Sequence, residues 1–209
     1  MAINLQKGQK IDIGLSNISV GLGWNPNEGT GSAFDLDASA FMINASRVIP
    51  AEGFFVFYGN TDSPDAAVHH TGDDPTGGNS AGGDDESLVV DLTKIDPAIT
   101  EILFVVTIHD AAARRQNFGQ VRDSYIRLVD NSNGSEIAKY ELGEDFSIET
   151  GVEFGRLYKK MANGNLKPLV LVTRKTWAIS WVNITKDKSL NKNLLIFYYA
   201  QTAKSRKSA

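Results

Sequence analysis

As far as residue 155 the apolar residues of this chain recur at every second position or in short buried runs rich in Ile, Val, Phe and Tyr, broken by Gly, Asn, Asp and Pro. Successive side chains of a strand point to opposite faces, so this pattern encodes many short strands and no long helix. The expected strands are Ile11 to Leu15, Ile18 to Trp24, Phe34 to Ile43, Phe54 to Tyr58, Ala67 to Thr71, Ser87 to Leu92, Glu101 to His109, Ser124 to Val129, Glu136 to Leu142 and Gly151 to Tyr158. About ten strands separated by turn residues predict an all-β fold, an antiparallel β-sandwich. One helical turn is expected at Ala111 to Gln116, and Asp130 to Ser135 reads as a hairpin connection.

Charge is distributed unevenly over these strands. From Val48 to Thr93 there is no Lys or Arg against nine Asp or Glu, and five of these (Asp73, Asp74, Asp84, Asp85, Glu86) crowd one glycine-rich loop between His70 and Glu86. Carboxylates this close repel one another, and a bound divalent cation is the simplest source of the missing charge. In the strand from Phe34 to Phe41, Asp35, Asp37 and Ser39 share one face while Phe34, Leu36 and Ala38 share the other. The two aspartates therefore stand about 6.5 to 7 Å apart at the backbone, within chelating reach of one ion.

The bland reading of the strand is a solvated face, and alone the loop reads equally as a flexible linker. Together they offer hard oxygen ligands from separate chain segments, as a Ca2+ shell of roughly six to eight oxygens requires. The expected ligands are Asp35, Asp37, Asp73, Asp74, Asp84, Asp85 and Glu86, with Asn60 as a neutral oxygen. Seven carboxylates favour two Ca2+ over one on charge grounds. The loop lacks the glycine and glutamate positions of an EF-hand. A Zn2+ site is not expected either, because Cys is absent and His69, His70 and His109 lack a ligand spacing. His69 and His70 are expected at a strand end, one pointing in and one out, and Trp24 in the core.

The net charge of -4 hides a split: residues 1–155 carry 9 Lys+Arg against 24 Asp+Glu, and residues 156–209 carry 12 against one, Asp187. No nucleic-acid partner is expected for so acidic a body, and the change marks a boundary near residue 160. The absence of Cys, of a signal-like N-terminus and of any apolar run of about 20 residues leads to a cytoplasmic address.

The succession Gly21-Leu22-Gly23-Trp24, Phe34-Asp35-Leu36-Asp37-Ala38-Ser39, Phe55-Val56-Phe57-Tyr58 and the acidic loop resembles the TerD family of tellurium-resistance and general stress proteins. Phe118-Gly119-Gln120-Val121, Tyr125-Ile126-Arg127, Glu136-Ile137-Ala138, Glu149-Thr150 and Phe154-Gly155-Arg156-Leu157-Tyr158 extend the resemblance to about residue 160. It implies a Ca2+-binding β-sandwich with Asp35, Asp37, Asp73, Asp84, Asp85 and Glu86 at ligand positions. Asn25 stands where the family usually has Asp, and the loop is two residues longer than is common, with Gly78 and Ser80 where the family tends to keep charge.

Residues 1–160 thus read as a TerD-like calcium-binding sandwich, and 161–209 as an atypical basic tail. The family continues past this point with a return strand of the form NGEWKFRAVGQGY, which residues 161–173 do not match. A permitted back-translation of this segment, read one nucleotide out of phase, gives NGEWKLKAVGSGY, so 161–209 is expected to be out of frame. The same residues read in frame would place strands at Leu169 to Thr173, Trp177 to Ile184 and Leu194 to Ala200.

The expected function is a calcium-binding module of a tellurite-resistance or stress response, without enzymatic activity. Ion-dependent ordering of the loop would create a surface for a protein partner of the stress-response or membrane-associated resistance machinery. The alternative is a Mg2+-dependent hydrolase or phosphoryl-transfer enzyme built on Asp35 and Asp37. Against it stands the lack of an evident nucleophile or phosphate-binding Lys beside them, His109-Asp110 being the only candidate pair.

Overall fold

The computed structural model describes residues 3–4, 10–12, 14–78, 83–162 and 165–176, with backbone alone for 3–4, 10–12, 144–145, 159–162 and 165–176. The strands in chain order are β1 (Ile3–Asn4), β2 (Lys10–Asp12), β3 (Asn17–Gly23), β4 (Leu36–Asn44), β5 (Phe55–Val56), β6 (Val68–His70), β7 (Glu86–Asp91), β8 (Ile99–Ile108), β9 (Tyr125–Asp130), β10 (Ser135–Glu141), β11 (Gly151–Ala162) and β12 (Asn165–Thr176). Helix is confined to single turns, α1 (Ala111–Arg114) and α2 (Leu142–Asp145), and to 3-10 turns at Glu52–Phe54 and Phe118–Gln120.

The strands form two six-stranded sheets, ordered β1-β10-β9-β3-β7-β6 and β2-β12-β11-β8-β4-β5. Every strand pair is antiparallel except β1 with β10. The all-β sandwich read from the alternation is the fold observed. In the first sheet Ile18, Val20, Leu22, Leu88, Val90, Ile126 and Leu128 alternate into the core while their neighbours face outward. The second sheet is buried on both sides along β4: Leu36, Ala38, Ala40 and Met42 join the main core, and Phe41 and Ile43 join a second cluster with Ile49, Phe55, Leu103 and Val105. Phe41, Phe55 and Phe57 stack there, with centroid separations of 4.4 and 4.5 Å.

Three local departures from the sequence reading have plain causes. The expected strand from Phe54 to Tyr58 shrinks to β5 because Phe57 and Asn60 bond each other's backbones in a tight turn, at 3.1 and 2.9 Å. Leu142 opens α2 instead of closing β10. The in-frame strand expected from Leu169 to Thr173 is longer, because β12 pairs with β11 from Val152 and Thr176 to Ala162 and Asn165. The expected strands at Trp177 to Ile184 and Leu194 to Ala200 lie outside the described residues. The hairpin at Asp130 to Ser135 is present; Asp130 accepts from the backbone of Ser132 at 2.9 Å, and Gly134 supplies the positive φ of 72° that closes it.

Candidate metal centre

β4 begins one residue after Asp35, and its pleat sends Asp37 to the outer face of the second sheet while Leu36 and Ala38 fill the core. His109 donates its backbone N–H to the Asp35 carbonyl at 2.8 Å, which extends the β4–β8 pairing to the aspartate. The acidic loop then crosses this end of the sheet. Ligand oxygens of Asp35, Asp37 and Asp73 lie within 4.8 Å of one another. That spacing fits oxygens sharing one ion at roughly 2.3 to 2.6 Å, where two ligands on opposite sides are about 5 Å apart.

The electrostatics of the cluster follow from burial. Asp37 is 1% exposed. Loss of water raises the Asp35 carboxyl above its ordinary value; the neighbouring His109 and Arg114 pull it down and Asp73 pushes it up. Arg114 donates from Nη1 to Asp35 Oδ2 at 3.3 Å and reaches the Ala33 carbonyl at 3.5 Å. Tyr58 is pushed up to about 12 by desolvation and then by the surrounding Asp37, Asp73, Asp35 and Glu86. Burial is the largest cause of both shifts, and at Tyr58 the four surrounding carboxylates add to it.

The remaining expected ligands are placed otherwise. Asp74 turns back on its own loop and accepts from the backbone of Thr76 and Gly77, each at 3.0 Å. Asp84 accepts from Arg127 Nε at 2.7 Å and from the Tyr125 hydroxyl at 3.1 Å. Asp85 accepts from the Trp24 backbone N–H at 2.8 Å. Glu86 is the first inward residue of β7; its Oε2 accepts from the Ala38 N–H at 2.8 Å and lies 3.4 Å from His70 Nε2. Desolvation raises the Glu86 carboxyl, offset by those same contacts. Asn60 donates from its amide to the carbonyls of Phe55 at 2.6 Å and Gly53 at 3.2 Å, tying the turn after β5. As expected, His70 is buried and His69 exposed at the end of β6, and Trp24 is core.

Sequence reasoning missed Arg114, Arg127 and Thr107. Arg127 sits 43 positions from Asp84, so no local signal joins them. Thr107 is the cross-strand partner of Asp37, and the cue for it was the shared alternation of the two strands.

A TerD domain matches residues 1–168. The chain belongs to the TerD family. Tellurium resistance protein TerD of an Alcaligenes species is 46% identical over 164 residues, covering 76% of this chain and 84% of the relative. General stress protein 16U of Bacillus subtilis is 43% identical over 173 residues, 80% of this chain and 88% of that one. The TerD fold is also seen in a crystal structure of a homologue of telluride resistance protein from Streptomyces coelicolor, with a TM-score of 0.62 at 19% identity over 79% of this chain and 95% of that one. The TerD family is one of tellurium-resistance and stress-response proteins. No helix among the described residues of this TerD domain is long and apolar enough to cross a membrane.

Proposed function

We propose that this TerD-family protein is a cytoplasmic calcium-binding module that serves a tellurium-resistance or stress response by ion-dependent binding of a protein partner. The observation that carries the reading is the meeting of Asp35, Asp37 and Asp73 from two chain segments, with Asp37 buried. Asp37 is buried between the half-buried Asp35 and the exposed Asp73, and an ion bound only to the folded state stabilises that state by mass action. The donor set is all oxygen and fits a hard cation.

Arg114 and Arg127 offset two of the seven carboxylates, and two Ca2+ would offset four of the remaining five. Charge therefore supports two ions, one of them at the Asp35, Asp37 and Asp73 cluster. The loop that brings in Asp73 is anchored through Asp84 and Asp85 to Arg127 and Trp24, so ion binding at one end sets the shape of a surface patch. That patch is the proposed contact for the partner.

We place the protein among binding modules and not enzymes, since the described residues around the carboxylate cluster include Arg114, His109 and Tyr58 but, among them, no Lys to hold a phosphate and no nucleophile with an adjacent base. Calorimetric titration of the full chain with Ca2+ and then Mg2+ tests this. Saturable Ca2+ binding that is lost in Asp35→Asn supports the module, and Mg2+-dependent hydrolysis of a phosphate ester would overturn it.

A further inference from the structure

β4 and β8 are in register with Asp37 opposite Thr107, so the two side chains stand on the same outer face of the sheet. Directly opposed residues of an antiparallel pair have Cβ atoms about 4.5 to 5.5 Å apart. On its other side Thr107 faces Gly151 of β11, which has no side chain. Thr107 is 4% exposed, and its Oγ1 has no hydrogen-bond partner.

That vacancy is unusual for a strand hydroxyl. Ser39, two residues along β4 on the same face, satisfies its Oγ with the Val105 carbonyl at 3.4 Å, and Thr100 bonds the Ile43 carbonyl at 3.3 Å. Among the described residues two other buried side-chain atoms lack a hydrogen bond, His70 Nε2 and Gln116 Oε1. The first faces Glu86 at 3.4 Å, and the second belongs to an amide already held through its nitrogen to Ser32 and Ala33. Val has nearly the shape of Thr and suits a strand equally well, so packing and propensity do not call for a hydroxyl here. An unmet buried hydroxyl is costly unless something polar arrives to meet it.

We propose that Thr107 Oγ1 is a neutral ligand of the divalent ion held by Asp35, Asp37 and Asp73. The inference rests on the cation site argued above. The hydroxyl offers its lone pairs to the ion. It adds an oxygen to a shell that needs about six to eight without adding another repelling charge. A strand-borne hydroxyl also fixes the ion against the sheet, so that loop closure through Asp73 is not the sole determinant of its position.

The test is calorimetric titration of the full chain with CaCl2 for the native protein, Thr107→Val, Thr107→Ser and Asp37→Asn, with thermal melts in EDTA and in Ca2+. Thr107→Val should melt in EDTA at or above the native temperature, because the unmet hydroxyl is gone, yet bind Ca2+ about tenfold or more weakly. Thr107→Ser should bind within about threefold of native. Native binding that is lost in Asp37→Asn but unchanged in Thr107→Val would overturn the role of Thr107 and leave the site standing. Equal loss in Thr107→Val and Thr107→Ser with lowered melts in EDTA would show packing alone and also overturn it. A native protein that takes up no Ca2+ would overturn both.

Discussion

Arg127 holds Asp84 at 2.7 Å from the opposite side of the acidic loop to the Asp35, Asp37 and Asp73 cluster, and the carboxylate lies so close over Gly21 that a Cβ there would come within 2.0 Å of Oδ2. Asp84 therefore acts as an anchor of the loop on the first sheet. Asp84→Asn should lower unfolding free energy by about 1 to 2 kcal/mol through loss of charge-assisted bonds. Denaturant unfolding measures this, and Ca2+ affinity at the cluster should stay within about threefold of native.

Arg114 occupies the same aspartate that a cation would use. Both are positive, so the guanidinium opposes the ion. Arg114→Ala should tighten Ca2+ binding by about 1 kcal/mol, roughly fivefold, after screening at this partly exposed position. Calorimetry at low and high NaCl checks it, since the gain should shrink as salt rises.

The pH dependence has a definite sign. Asp35 and Glu86 have folded values raised above their ordinary 3.8 and 4.5. A carboxyl raised on folding favours the folded state below its unfolded value and loses that contribution as pH rises through the folded one. In EDTA the native protein should thus lose more stability between pH 4 and 7 than Asp35→Asn does. Denaturant unfolding across that range measures the difference. With Ca2+ the trend reverses, because protons compete with the ion for the same oxygens.

On the outer face of the second sheet Arg156 donates to Glu153 at 2.8 Å from Nη2 and pairs with Glu101 from Nη1, all three side chains being at most 6% exposed. Removing the cation takes the guanidinium from two buried carboxylates. Arg156→Met should cost about 3 to 5 kcal/mol, and replacing all three residues with apolar ones should recover most of it. Equilibrium unfolding of the single and triple variants checks both.

The tail makes a prediction at the level of nucleotides. Pro168 lies within β12, opposite Lys159 and beside the Leu169 to Leu171 pairing with β2, where a residue without an N–H is out of character. The shifted reading places Ala there. We propose that 161–209 is out of frame; codons incompatible with the shifted reading in the gene sequence would refute it.

The sandwich was legible because one-sided burial writes itself as alternation: Ile18, Val20 and Leu22, or Leu88 and Val90, mark the inward face directly. β4 was legible for a different reason, Asp37 within it and Asp35 just before it standing out in an apolar run. The loop was not, because an aspartate can meet an ion, a cation or its own backbone. Asp74 meets Thr76 and Gly77 nearby, which the run Asp74-Pro75-Thr76-Gly77 foreshadows, but Asp84 and Asp85 meet Arg127 and Trp24 across 43 and 61 positions. Thr107 escaped notice because an unmet hydroxyl is a property of the assembled face and not of any sequence window.

The most direct measurement is a crystal structure of the protein grown or soaked in CaCl2, with the ion located by anomalous scattering. The account predicts a Ca2+ bound by carboxylate oxygens of Asp35, Asp37 and Asp73 at about 2.3 to 2.6 Å. A protein saturated with Ca2+ elsewhere, or binding none at millimolar Ca2+ with these three carboxylates still together, would contradict it.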